Sequence, residues 1–113
     1  VSDSIAEIIS RLKSETSPFD YNFHNGVEDH AGLYSIWLRG TCIYVGMSMN
    51  LHRRVEEHSH DEDNPKLRQY FKTYPNEIRI SFVYVPETES KIKSMESEII
   101  SRLYPDGNRQ GIL

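Results

Sequence analysis

The spacing of apolar residues divides this chain into seven elements. Ile5, Ile8, Ile9 and Leu12 share one face at helical intervals, so an amphipathic helix is expected over residues 4–14. Residues 16–30 carry no period, and Ser17-Pro18 and Asn25-Gly26 mark them as an irregular segment. Two short runs, 32–38 and 41–45, read as strands joined by a tight Arg39-Gly40 turn, with Gly46 ending the second. Asn50 suits the N-cap of a helix reaching about residue 58, and 59–63 reads as a charged, solvated loop. Asn64-Pro65, a cap followed by proline at the first helical position, opens a helix to about residue 74. Ile78, Ile80, Phe82 and Tyr84 then alternate with Arg79, Ser81 and Val83, the pattern of a half-buried strand. Ile92, Met95, Ile99, Ile100 and Leu103 carry a last helix over 88–103, which stops before Pro105 and an Asp106-Gly107-Asn108 turn. The order α-β-β-α-α-β-α predicts a small α/β fold of the α+β type, with a three-stranded, mostly antiparallel sheet flanked by helices.

One residue breaks the last of these patterns. Glu96 falls inside the apolar stripe, four residues after Ile92 and three before Ile99, while Glu98 points away from it. Burying an ionised carboxylate is expensive unless a cation or hydrogen-bond donors compensate it. A divalent metal is the leading compensating group, and a salt bridge at the edge of the core is the alternative.

The hairpin adds further chemistry. Strict alternation puts Tyr34, Ile36 and Leu38 on one face of the first strand and sets Ile43 and Val45 opposite Cys42 and Tyr44 on the second. Tyr34 begins one strand and Tyr44 lies towards the end of the other, so antiparallel pairing brings the two phenols to the open end of the hairpin. In the following helix Leu51 and Val55 face the core, and Arg54 and His58, four apart, project side by side. Two phenols, a guanidinium, an imidazole and a carboxylate are thus placed where they could converge on one patch.

Composition narrows the setting. A chain of 113 residues suits one domain. Cys42 is the sole cysteine, and no secretory signal or apolar run near the roughly 20 residues of a membrane span is visible. An intracellular, cytoplasmic protein without a membrane partner is expected, and a start at Val1 fits a segment of something longer. The net charge of −4 belongs to the N-terminal part: residues 1–31 hold Asp3, Glu7, Glu15, Asp20, Glu28 and Asp29 against Arg11 and Lys13, and the rest is balanced. Charge therefore neither favours nor excludes a phosphate-bearing partner.

With these residues in place, the chain resembles the GIY-YIG nucleases. Gly32-Leu33-Tyr34, Tyr44-Val45-Gly46, Arg54 ten residues after Tyr44, and the run from Glu96 through Pro105 to Asn108 follow that family's pattern in order and spacing. The stretch from Tyr44 to Arg54 is similar to the N-terminal catalytic domain of the bacterial excision-repair nuclease. The resemblance covers roughly residues 31–110, which divides the chain into an N-terminal helical arm (1–30) and a nuclease domain (31–113). It implies a divalent-metal-dependent endonuclease hydrolysing DNA phosphodiester bonds, in repair or restriction. Glu96 would hold Mg²⁺ or Mn²⁺, Arg54 would neutralise phosphate charge, and Tyr34 and Tyr44 would position the attacking water, one as general base. His58 would relay a proton or bind phosphate. Gly46 would let the backbone approach substrate, Ser48 would join it in binding, and Asn108 would brace the site's framework.

Some features depart from that pattern or compete with it. Leu33 replaces the usual isoleucine, and Met47 stands where the repair nuclease carries a lysine, a missing charge that His58 compensates in this reading. The acidic arm is outside the family core and would either wrap the sheet through its apolar face or shield a DNA face. His52, His58 and His60 with Asp61 and Asp63 have too few cysteines and the wrong spacing for a structural zinc site. Asp61-Glu62-Asp63 lacks the glycine and terminal glutamate of a calcium loop. Lys66, Arg68 and Lys72, interleaved with Tyr70 and Tyr74, form either a phosphate-contacting face or an ordinary surface helix. No DNA-targeting motif is present, so a separate targeting domain or protein partner is expected, or recognition of DNA structure. The alternative function is a catalytically silent module of the same fold that binds nucleic acid or a protein.

Overall fold

The computed structural model describes residues 4–109. Ser4 starts the first helix, α1 (Ile5–Ser14), by accepting the Glu7 backbone N–H on its hydroxyl. The hairpin follows as β2 (Gly32–Leu38) and β3 (Thr41–Ser48). Its two turn residues, Arg39 and Gly40, have φ of 52° and 80°, the left-handed pair that matches strand twist in a two-residue hairpin. β3 continues past Gly46 to Ser48 because Leu33 pairs with Met47 and Gly32 with Ser48. β4 (Ile78–Tyr84) lies antiparallel to β2 along its other side.

Among the described residues the sheet has four strands, not three. Ser17 and Pro18 form a two-residue strand, β1, paired with Ile80 and Arg79 of β4, giving the order β1-β4-β2-β3. Two residues are too short to show a period. They are held by the Phe19 N–H donating to the Ile78 carbonyl (2.9 Å) and by the Arg79 guanidinium donating to the Thr16 hydroxyl and carbonyl (2.9 and 2.8 Å). A single 3-10 turn, Phe23–Gly26, orders part of the segment expected to be irregular.

Helices cover both faces. α2 (Leu51–His60) starts at the Asn50 cap and runs two residues beyond the expected end, so Ser59 and His60 belong to it. α3 (Pro65–Thr73) starts where the Asn64 side chain accepts the Lys66 and Leu67 N–H groups, and α4 (Glu89–Leu103) starts at Thr88. One core joins Ile8 and Leu12 of α1 and Ile92 and Ile99 of α4 to Leu33, Trp37, Val45 and Val83. The second joins Leu51 and Val55 of α2 and Leu67 of α3 to Tyr34, Ile36, Ile43 and Ile80.

α1 therefore wraps the sheet. Burying Ile8 and Leu12 contributes about 1.5–3 kcal/mol each. The helix also explains why β4 is covered on both faces instead of one. Ser81 lies beneath α1, donates its hydroxyl to the Leu12 carbonyl, and shares a hydrogen bond with Ser35, which in turn accepts the Trp37 indole N–H.

Alternation fails once in the hairpin. Ile36 pairs with Tyr44 and Trp37 with Cys42, leaving Ile43 as an unpaired extra residue, a β-bulge. Cys42 and Val45 consequently face the α1–α4 core, while Ile43 and Tyr44 face α2 and α3. Strict alternation predicts a different grouping of these four residues.

Candidate active site

Tyr34 and Tyr44 meet because the ladder puts them on one face of the hairpin, two steps apart. Tyr34 pairs with Gly46 and Ile36 with Tyr44, and the two phenol rings lie 6.1 Å apart between centroids. Tyr34 is 1% exposed, whereas Tyr44 is half-buried and faces solvent in part. Gly46 makes the arrangement possible: a Cβ there would stand 2.4 Å from both Cζ and the hydroxyl oxygen of Tyr34. The missing side chain makes room for the tyrosine.

From α2, Leu51 and Val55 anchor the helix in the core and aim the intervening turns at the phenols. His58, 2% exposed, brings Nε2 to 2.6 Å from the Tyr34 hydroxyl, and its ring lies 5.5 Å from that of Tyr44. Its other nitrogen, Nδ1, contacts Oε1 of Glu62. The Glu62 side chain is 5% exposed, so this part of the 59–63 run is not the solvated loop its charge suggests. Glu62 also accepts the Asn64 N–H on Oε2 (2.8 Å), and Asn64 donates its amide to the Gly107 carbonyl (3.0 Å). The sequence alone does not single out Glu62, which lies four residues after His58 but beyond the end of α2.

Burial raises the Tyr34 pKa well above 10.0; the Tyr44 hydroxyl adds to the rise and the Arg54 guanidinium opposes it. For Arg54, burial works against the charge, but Tyr34 and a 3.0 Å ion pair with Glu57 outweigh it and raise its pKa. The site thus holds a fixed cation beside two phenols, one sealed and one open in part to solvent. Of the expected residues, Tyr34, Tyr44, Arg54 and His58 form one contiguous group.

Glu96 stands apart from that group, on α4, and meets β3 at Met47, next to Gly46. Ile92 and Ile99 occupy the sealed positions of the helix, and the turn between them faces the outer strand of the sheet. Glu96 is therefore half-buried at the edge of the stripe, not a core residue. Burial raises its pKa above 4.5, against the Met47 backbone N–H and the Lys93 charge. It has no ion pair among the described residues, whereas Glu98 pairs with Arg102 at 2.6 Å. A half-buried carboxylate that makes no ion pair among the described residues is a fitting ligand for a hard divalent ion that keeps most of its waters. Among the described residues, no group of three or more His, Cys, Asp or Glu could enclose a metal. His52 and His60 instead pack their rings against His24, at 5.4 and 5.0 Å.

The remaining expected residues work on the protein itself. Asn108 accepts the Val45 N–H at 2.7 Å and donates to the Val45 carbonyl at 2.8 Å. Ser48 donates to the Asn50 carbonyl and accepts its N–H, shaping the entry to α2. On α3, Lys66 and Tyr70 both bond Asp106, at 3.2 and 3.0 Å, and Tyr74 lies under the Arg39 guanidinium. That face is thus largely engaged within the fold. No helix of the described residues is long and apolar enough to cross a membrane.

An antiparallel sheet between two helical layers, with paired tyrosines, an arginine and a lone carboxylate about its outer strand, is the architecture of a small nuclease domain. Residues 30–109 match the family described as the GIY-YIG catalytic domain, and the chain belongs to that family. Among solved structures the fold is similar to the GIY-YIG N-terminal endonuclease domain of UvrC from Thermotoga maritima. A tyrosine-to-phenylalanine point mutant of that domain, bound to its catalytic divalent cation, superposes with a TM-score of 0.62 at 18% identity, over 75% of this chain and 89% of that one. The same domain bound to magnesium as its catalytic divalent cation gives 0.59 at 16% identity, over 90% and 96%. An asparagine-to-alanine mutant gives 0.57 at 15% identity, over 89% and 93%. At such identities the likeness carries the fold. No curated protein matches the sequence.

Proposed function

We propose that this domain is a divalent-metal-dependent endonuclease that hydrolyses DNA phosphodiester bonds. The observation that supports it most is the contact of a buried phenol, Tyr34, with His58 at 2.6 Å, beside Arg54 and across the outer strand from the unpaired carboxylate Glu96. Glu96 would hold Mg²⁺ or Mn²⁺, and such an ion supplies charge stabilisation at the scissile phosphate and the leaving oxygen.

The chain's own residues supply the rest. Tyr44, the more exposed phenol, orients the attacking water. The water proton passes to the Tyr44 oxygen as the Tyr44 proton moves to Tyr34 and the Tyr34 proton moves to His58 Nε2. Each phenol gains and loses one proton, so Tyr34 never has to exist as a free phenolate in surroundings that disfavour that charge. The hydroxide attacks phosphorus, the P–O bond to the leaving sugar oxygen breaks, and that oxygen takes a proton from solvent, which is made good when the His58 proton returns along Tyr34 and Tyr44. Arg54, held charged, faces the negative charge that grows on the phosphate oxygens. A general acid–base relay of this kind contributes about 10²–10⁴-fold.

The test is cleavage of supercoiled plasmid and of a branched DNA at low salt, by wild type and Glu96→Ala, each with Mg²⁺, Mn²⁺ or EDTA. Cutting by wild type that needs metal and is lost in the variant is the expected result. Binding without cutting under every condition would replace this reading with the silent-module one.

A further inference from the structure

We infer that Glu62 is a positioning residue that holds His58 in the one tautomer able to take the Tyr34 proton. This rests on the nuclease reading above for its role, but on the hydrogen-bond geometry alone for the tautomer. A carboxylate only accepts. Oε2 of Glu62 takes the Asn64 N–H at 2.8 Å, and Oε1 faces Nδ1 of His58, so the imidazole hydrogen sits on Nδ1. In the neutral imidazole Nε2 is then a lone pair aimed at the Tyr34 hydroxyl 2.6 Å away. Without that constraint, Nε2–H would point at the phenol oxygen and the relay would have no receiver. When His58 does receive the proton, it becomes an imidazolium between a neutral phenol and a carboxylate, out of reach of bulk water. The structural contact Glu62 makes, accepting the Asn64 N–H, would be kept by an amide oxygen; Asn64 caps α3 with its own side chain, and the Asp61 N–H closes α2 on the Glu57 carbonyl.

The network also dictates what Glu62→Gln does. The Asn64 N–H claims the amide oxygen, which leaves the amide N–H₂ facing Nδ1. Nδ1 must then accept, and the imidazole hydrogen moves to Nε2. The experiment combines nitrogen-15 spectroscopy of histidine-labelled protein with single-turnover cleavage. Wild type should show His58 protonated on Nδ1, Glu62→Gln should show it protonated on Nε2, and the cleavage rate should fall about 10²–10⁴-fold with DNA binding unchanged. In a His58→Ala background the same substitution should have no further effect on rate, because the two residues act as one unit.

A wild-type His58 protonated on Nε2 overturns the inference before any variant is made. So does a Glu62→Gln protein that keeps the wild-type tautomer, or one that loses as much rate without His58 as with it. If the wild type does not cleave DNA, the nuclease reading fails by itself, and the tautomer exchange still decides whether Glu62 controls His58.

Discussion

Replacing Gly46 by alanine tests how the site is packed. A Cβ at this position would lie 2.4 Å from Tyr34 Cζ and 2.4 Å from its hydroxyl oxygen, with the neighbouring ring carbon at 2.7 Å. Ordinary contact begins at about 3.4 Å, so the ring must retreat by about 1 Å. It has no room to do so, being 1% exposed and wedged between β3, Leu51 and His58. Overpacking of this kind costs about 1–3 kcal/mol, and loss of the Tyr34–His58 hydrogen bond adds about 1 kcal/mol. A domain of this size loses about 4 °C or more in Tm per kcal/mol, so a fall of roughly 10 °C is expected. Misplacing a reacting group by 1 Å also lowers kcat about 10²-fold. The assay is thermal unfolding followed by circular dichroism, with cleavage rates from the same preparations. Gly26→Ala is the control: a Cβ there meets nothing within 4 Å, so it should be neutral or stabilise by a few tenths to about 1 kcal/mol. If Gly46→Ala melts with wild type and only its KM rises, the glycine serves substrate approach and the packing argument is wrong.

Three further outcomes follow from the described contacts. The raised pKa of Glu96 means that the folded state binds its proton more tightly than the unfolded state, so this group subtracts stability as pH rises from 4.5 through the raised value. Glu96→Gln should therefore be more stable than wild type at pH 7 without metal, the two converging in acid, and Mg²⁺ should raise the wild-type Tm while leaving the variant unmoved; at ten times its Kd an ion adds about 1.4 kcal/mol. Asn108→Ala removes two hydrogen bonds to Val45 and should cost about 2 kcal/mol in urea denaturation, a result refuted by an unchanged midpoint. Leu12→Ala should cost about 2–5 kcal/mol because Leu12 is sealed beneath α4 and Trp37, and a loss below about 1 kcal/mol would mean that α1 is not part of the core.

Elements whose stability comes from repeated burial were legible from the chain. The stripe of Ile5, Ile8 and Leu12, the Asn50 and Asn64 caps and the alternation in 78–84 all lie where their periods put them. What was not legible depends on contacts between distant parts of the chain. β1 is a strand only because Ile80 and Arg79 are there to pair with it. Ser81 looks solvent-facing until α1 folds over it. The bulge at Ile43 leaves no mark in composition, yet it sorts Cys42 and Val45 from Ile43 and Tyr44. At the site, the tyrosines, Arg54 and His58 could be grouped from strand and helix periods. Glu62 could not, because a run of Asp61, Glu62 and Asp63 has the chemistry of an exposed loop, and only the packing of α2 turns its middle residue inward.

The grip of Asn108 on Val45 has another consequence. Among the described residues β3 is the last strand of the sheet, and its outer backbone groups have no neighbouring strand to bond. An exposed row of this kind is a template on which another polypeptide can add a strand, the usual starting point for edge-to-edge aggregation. A single primary amide, offering one acceptor and one donor to the same residue, imitates the strand that is missing and closes the row at its middle. The strand that carries Tyr44 and Gly46 is thereby denied to a second copy of the chain.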